Sequence, residues 1–120
     1  MNRWGAGVLT KEFAEPEQAE EALKHGKVAA LFYATWCPFS RAFKPLFEGK
    51  ARQGDMRKRG YEAIGAVIDA DSNPLWDRYS IEIVPTVIFF ENGKVVKRLD
   101  GKPGMGLGAR DLEDALSELG

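Results

Sequence analysis

The residues best suited to chemistry lie in Ala34-Thr35-Trp36-Cys37-Pro38-Phe39-Ser40-Arg41, which holds the only thiol of the 120-residue chain. A thiolate is the nucleophile of disulfide exchange, so what matters is whether the surroundings favour an anion at Cys37. An apolar run rich in β-formers, Val28 to Tyr33, precedes it, and Phe39, Phe43, Leu46 and Phe47 follow at helical spacing. Cys37 therefore falls where a buried strand hands over to a helix. There, free backbone N–H groups and the positive end of the helix dipole favour negative charge, and Arg41, one turn on, acts in the same sense. A lone cysteine is often a small buried hydrophobe without chemistry. Pro38 and the helix start argue for a side chain near a surface turn instead. A single cysteine excludes an internal disulfide and a multi-cysteine metal site. Ser40 can offer its hydroxyl to a Cys37 thiolate but cannot form a disulfide with it.

The elements that must position this stretch can be read in order. Val8 to Phe13 suits a short strand. Pro16 to His25 reads as a helix with proline in its first turn, acids early and a cation late, closed by Gly26. His25, the only histidine, is better placed as a favourable charge at that helix end than as a catalytic base. Lys27 to Ala34 is the central strand, apolar on both faces and so covered by helices on both sides. The helix from Pro38 runs towards Arg52 with a kink expected at Pro45. Lys50, Arg52, Arg57, Lys58 and Arg59 then read as a solvated helix end and loop, since no aromatic residues are interleaved to stack bases.

Tyr61 to Asp69 carries the next strand, and Asp71-Ser72-Asn73-Pro74 starts a helix with Asn73 as cap and Pro74 as first residue. Thr86 to Phe90 and Lys94 to Leu99 form a hairpin whose Asn92-Gly93 turn supplies positive φ angles. Such a hairpin belongs at a sheet edge. Gly101, Gly104, Gly106 and Gly108 lead as a flexible connection into a last helix, Ala109 to Leu119, with Leu112, Ala115, Leu116 and Leu119 on one face. The glycine spacing does not match a nucleotide loop, and no strand follows to complete a βαβ unit. Trp4 and Trp76 read as packing residues.

Composition sets the outer bounds. The chain is sized for one domain, residues 1–120, and its 44% hydrophobic and 29% charged shares are those of a globular protein. A net charge of −1 gives no electrostatic case for nucleic-acid or membrane-surface binding. No apolar stretch approaches the roughly 20 residues of a membrane helix, and no signal core follows Met1, so a cytoplasmic location is the expectation.

Trp36-Cys37-Pro38-Phe39-Ser40 after an apolar strand resembles the active site of the thioredoxin family, where Trp-Cys-x-x-Cys opens the helix after the central strand. Pro45 stands at the family's spacing from Cys37. Asp69-x-Asp71, then Tyr79-x-Ile81 and Ile83-Val84-Pro85-Thr86, is similar to the family's second signature, in which the proline bond is cis and its loop faces the cysteine. Gly101 matches a glycine the family keeps near that proline. The resemblance implies the thioredoxin fold, an α/β architecture with a central mixed sheet and helices on both faces, and the order β-α-β-α-β-α-β-β-α agrees.

What the resemblance implies for function is a thiol–disulfide oxidoreductase with Cys37 as nucleophile. Trp36, Pro38, Phe39, Val84, Pro85 and Gly101 would contact an extended substrate. Protein disulfides or thiols would be the substrates, glutathione or a thioredoxin-reductase-type donor a partner, no cofactor or metal would be needed, and the chain would be a monomer. Three departures bear on this. Ser40 replaces the resolving cysteine, so a dithiol cycle gives way to a monothiol route, whether the serine is native or a variant. The acid usually buried before the cysteine is Leu31, and the lysine facing it falls at Val67. Two alternatives stay open: a non-catalytic module binding a protein partner through the same groove, and a monothiol-glutaredoxin-like domain that binds glutathione and an iron–sulfur cluster, from which Pro38 departs.

Overall fold

The structure, a computed structural model, describes residues 11–119. Its elements run β1 (Lys11–Phe13), α1 (Pro16–Leu23), β2 (Lys27–Tyr33), α2 (Pro38–Arg52), a 3-10 turn (Arg57–Arg59), β3 (Glu62–Val67), α3 (Leu75–Arg78), β4 (Thr86–Glu91), β5 (Lys94–Leu99) and α4 (Ala109–Leu119). This is the order expected from the sequence. The first residues of the strand expected from Val8, and Trp4, lie outside the described residues. The five strands form one mixed sheet in the order β1-β3-β2-β4-β5, with β1, β3 and β2 parallel and β4 and β5 antiparallel to their neighbours.

β2 is central because both of its faces are apolar. Alternate side chains enter two separate cores. Val28, Ala30 and Phe32 pack with Ala19 and Leu23 of α1 and Leu75 of α3, whereas Ala29, Leu31 and Tyr33 pack with Phe43 and Phe47 of α2 and Leu112, Ala115 and Leu116 of α4. Each fully buried phenylalanine contributes roughly 1.5–3 kcal/mol relative to exposure, which sets how firmly α2 is held against the sheet. α2 runs as one helix through Pro45. Asn73 does cap α3: its Oδ1 accepts the Leu75 N–H at 2.9 Å. Asn92 and Gly93 both have positive φ (51° and 85°), which closes the β4–β5 hairpin at the sheet edge.

Candidate functional site

Cys37 is the residue before the first turn of α2, with extended backbone (φ −91°, ψ 122°), and Arg41 N–H donates to its carbonyl at 3.0 Å. The strand-to-helix placement holds, but the surface placement does not: Cys37 is only 7% exposed and belongs to the core shared with α1 and α3. The reason is a facing loop. The Cys37 thiol lies 3.6 Å from the Val84 carbonyl, to which it donates, and Val84 and Pro85 are themselves buried. The Val84–Pro85 peptide bond is cis.

The turn that presents Cys37 is clasped by Asp69, just past β3. Its carboxylate accepts the Thr35 N–H at 2.7 Å and the Thr35 hydroxyl at 2.5 Å, and its backbone carbonyl accepts the Trp36 indole N–H at 2.9 Å. Arg41 donates to the Thr35 carbonyl at 3.2 Å, so its guanidinium is tethered to the same turn. Pinned through its indole nitrogen, Trp36 still leaves 55% of its surface exposed. In the sequence, Asp69 entered only as one position of a spaced signature. Its reach across to Thr35 depends on β3 lying beside β2, a pairing that residue types alone do not specify.

Ser40 bonds a different partner from the expected one. It is fully buried and its Oγ accepts the Ala34 N–H at 3.2 Å; no hydrogen bond joins it to Cys37. A serine in the first helical turn points back over the preceding residues, and here that direction meets a free strand-end N–H before it meets the thiol. Thr86 is the other buried polar side chain among the described residues. It donates to the Ile83 carbonyl at 2.7 Å and accepts the Gly101 N–H at 3.3 Å, so it ties the proline loop to the segment after β5.

Gly101 is close to that loop, as expected. A β-carbon there would stand 2.5 Å from the Pro85 carbonyl oxygen and 2.9 Å from Ile83. The glycine-rich stretch after it is not a loose connection. Lys102 N–H donates to the Gly106 carbonyl at 3.0 Å and Gly106 N–H to the Lys102 carbonyl at 2.8 Å, closing a small hairpin whose end is buried against Phe39. Phe39 is 39% exposed, and Pro38 is exposed beside it. Cys37, Trp36, Pro38, Phe39, Val84, Pro85 and Gly101 thus come together through contacts of α2, the proline loop and the segment after β5, with Ser40 beneath them. Leu31 is fully buried and Val67 packs against the same core, so hydrocarbon occupies the space behind the turn. α1 stops at Leu23, short of the expected His25, which stands just past it and is bonded to Glu21 at 3.2 Å.

A mixed five-stranded sheet with a cysteine at a helix start, opposite a cis-proline, defines a thioredoxin-fold domain. The family model named Thioredoxin matches residues 10–113, and the chain belongs to the thioredoxin family. It is similar to the thioredoxin of Mycobacterium tuberculosis, 33% identical over 89 residues that cover 73% of this chain and 72% of that protein. It is also similar to endoplasmic reticulum resident protein 44 of Mus musculus, 35% identical over 98 residues covering 75% of this chain, and to endoplasmic reticulum resident protein 44.2 of Caenorhabditis elegans. The chain spans only 23% and 17% of the lengths of those two relatives. Among solved structures, the thioredoxin of Malassezia sympodialis superposes with a TM-score of 0.73 over 98% of this chain and 96% of its own, at 20% identity, a likeness of fold.

Proposed function

We propose that this thioredoxin-family domain is a thiol–disulfide oxidoreductase that works through Cys37 alone. The carrying observation is the placement of the only thiol at the start of α2, 3.6 Å from the carbonyl of Val84 beside cis-Pro85. In the first step Cys37 loses its thiol proton to water and the resulting thiolate attacks one sulfur of a substrate disulfide. That S–S bond breaks, a Cys37–substrate disulfide forms, and the other substrate sulfur leaves as a thiolate that takes a proton from water. The Val84 carbonyl, to which the thiol donates in the resting state, is freed when Sγ becomes a disulfide sulfur. An extended substrate segment can lay its own N–H against the proline loop.

Resolution needs a second sulfur, and Ser40 supplies none. An external thiol such as glutathione therefore attacks Sγ of Cys37 in the mixed disulfide, releasing the substrate as a thiol and leaving a Cys37–glutathione disulfide. A second glutathione attacks that disulfide, leaves as oxidised glutathione and returns Cys37 as a thiol. Until the first attack, the substrate stays bound covalently. Ser40 serves the step by position, holding the Ala34 end of β2 to the first turn of α2.

Incubation of the native protein with a peptide disulfide should give a Cys37–peptide adduct by intact mass, cleared by glutathione and absent in Cys37→Ser. A thiol that reacts only after unfolding would overturn this reading. It would favour the binding-module reading, which the exposed Trp36 and Phe39 support.

A further inference from the structure

The Lys102–Gly106 hairpin is fastened to the site at both ends. Before it, Gly101 fits so closely under the proline loop that a β-carbon would reach within 2.5 Å of the Pro85 carbonyl. At its end, Gly106 has φ +68° and so little room that a β-carbon would stand 2.8 Å from Cβ of Phe39. Its base is held by Asp111, which takes the Lys102 ammonium at 3.0 Å on one oxygen and the Gly108 N–H at 2.9 Å on the other. The hairpin therefore reaches from the proline loop to the first turn of α2, the two segments that meet at Cys37.

At its tip is Met105, 71% exposed and the most exposed large apolar side chain among the described residues. Neither core includes it. Of the six exposed large apolar side chains among the described residues, Trp36, Phe39 and Met105 stand on the segments that meet at Cys37. The charges nearest the hairpin are paired: Lys102 with Asp111 at 3.0 Å, and Asp100 with Arg98 at 2.8 Å. A long, unbranched thioether beside exposed Phe39 and Trp36 suits side chains of varied apolar shape.

We propose that Met105 is a specificity-determining residue, closing over the residue next to the substrate cysteine and selecting a large apolar side chain there. This rests on the reading that Cys37 captures a peptide disulfide.

The test uses two short peptides, each with one cysteine held as a mixed disulfide with 2-nitro-5-thiobenzoate, flanked on both sides by leucine in one and aspartate in the other. Attack by the Cys37 thiolate on the peptide sulfur breaks the S–S bond, forms the Cys37–peptide disulfide and expels the coloured aryl thiolate. Each rate is divided by that of the same peptide with free glutathione, which removes the peptide's own reactivity. The leucine peptide should be favoured by about tenfold, falling to about twofold in Met105→Gln and recovering in Met105→Leu, as expected for one partly covered apolar contact. An unchanged preference in Met105→Gln, or one that Met105→Leu does not restore, overturns the role of Met105 while leaving capture by Cys37 intact. Failure of the native protein to expel the aryl thiolate from either peptide removes the reading of Cys37 and this proposal with it.

Discussion

Two structures flank Cys37, and they are held in different ways. On one side the Thr35-Trp36 turn is clasped by polar bonds: Asp69 takes the Thr35 N–H and hydroxyl, and Ser40 takes the Ala34 N–H. On the other, the proline loop and the 101–106 segment fit by missing atoms, with glycines where a side chain would strike Pro85, Ile83 or Phe39, and a single hydroxyl, Thr86, bridging them. A clasp fails when a group is removed, and a fitted wall fails when one is added. The two sides of the site therefore answer differently to the same small substitutions.

The wall should break hardest. Gly101→Ala places a methyl 2.5 Å from a backbone oxygen that cannot swing away, and should cost roughly 2–3 kcal/mol by denaturant unfolding while slowing peptide capture by Cys37. Asp69→Ala removes the acceptor from Thr35 and should cost about 2 kcal/mol. Because it adds no atoms, much of that loss should be recovered in Asp69→Asn, whose amide oxygen can still accept one bond; a loss in Asp69→Asn equal to that in Asp69→Ala would mean that the carboxylate charge, not the acceptor, does the holding.

The two buried hydroxyls give a finer comparison. Thr86→Val keeps the shape but leaves the Gly101 N–H and the Ile83 carbonyl without that partner, for about 1–2 kcal/mol, whereas Ser40→Ala orphans only the Ala34 N–H, for about 1 kcal/mol. Chemical denaturation of both variants checks the order, and a larger loss at Ser40 would reverse the ranking of clasp and wall.

The smallest effect concerns acid. The Gly108 N–H first, and then Lys102, hold the Asp111 carboxyl below its ordinary value. A carboxyl lowered in the folded state adds stability above its unfolded pKa, about 4, and that stability is lost as pH falls through the lowered folded value. Native protein and Asp111→Asn should therefore differ in unfolding midpoint at neutral pH and converge as pH falls from about 4 through the lowered folded value.

Much of this arrangement is legible in the residues. The unbroken apolar run of β2, the Asn92-Gly93 turn and the prolines at the helix starts carry their structures locally, so the element order follows from them. What is not legible depends on neighbours distant in sequence. Cys37 is covered because Val84 arrives from another loop, and the chemistry of the Cys37 stretch gives no sign of that. Ser40 has two bonding directions in any first helical turn, and the end of β2 decides between them. The glycines after β5 lack side chains to signal their packing, so a segment with the composition of a linker is a bonded hairpin fixed by Phe39 and Pro85.

The β4–β5 hairpin has a bearing on how the molecule behaves in a crowd. β5 is the outermost strand, and its pairing with β4 shifts register between Phe89 and Phe90. A bulge at that point bends the rim of the sheet, and Lys94 stands exposed on it, whereas Lys97 is paired with Glu118 and Arg98 with Asp100. Val95 and Val96, both exposed, would otherwise make this edge a template for growth. A second copy offering the same edge would meet a bent ribbon in place of a flat one, which disfavours edge-to-edge stacking into fibres.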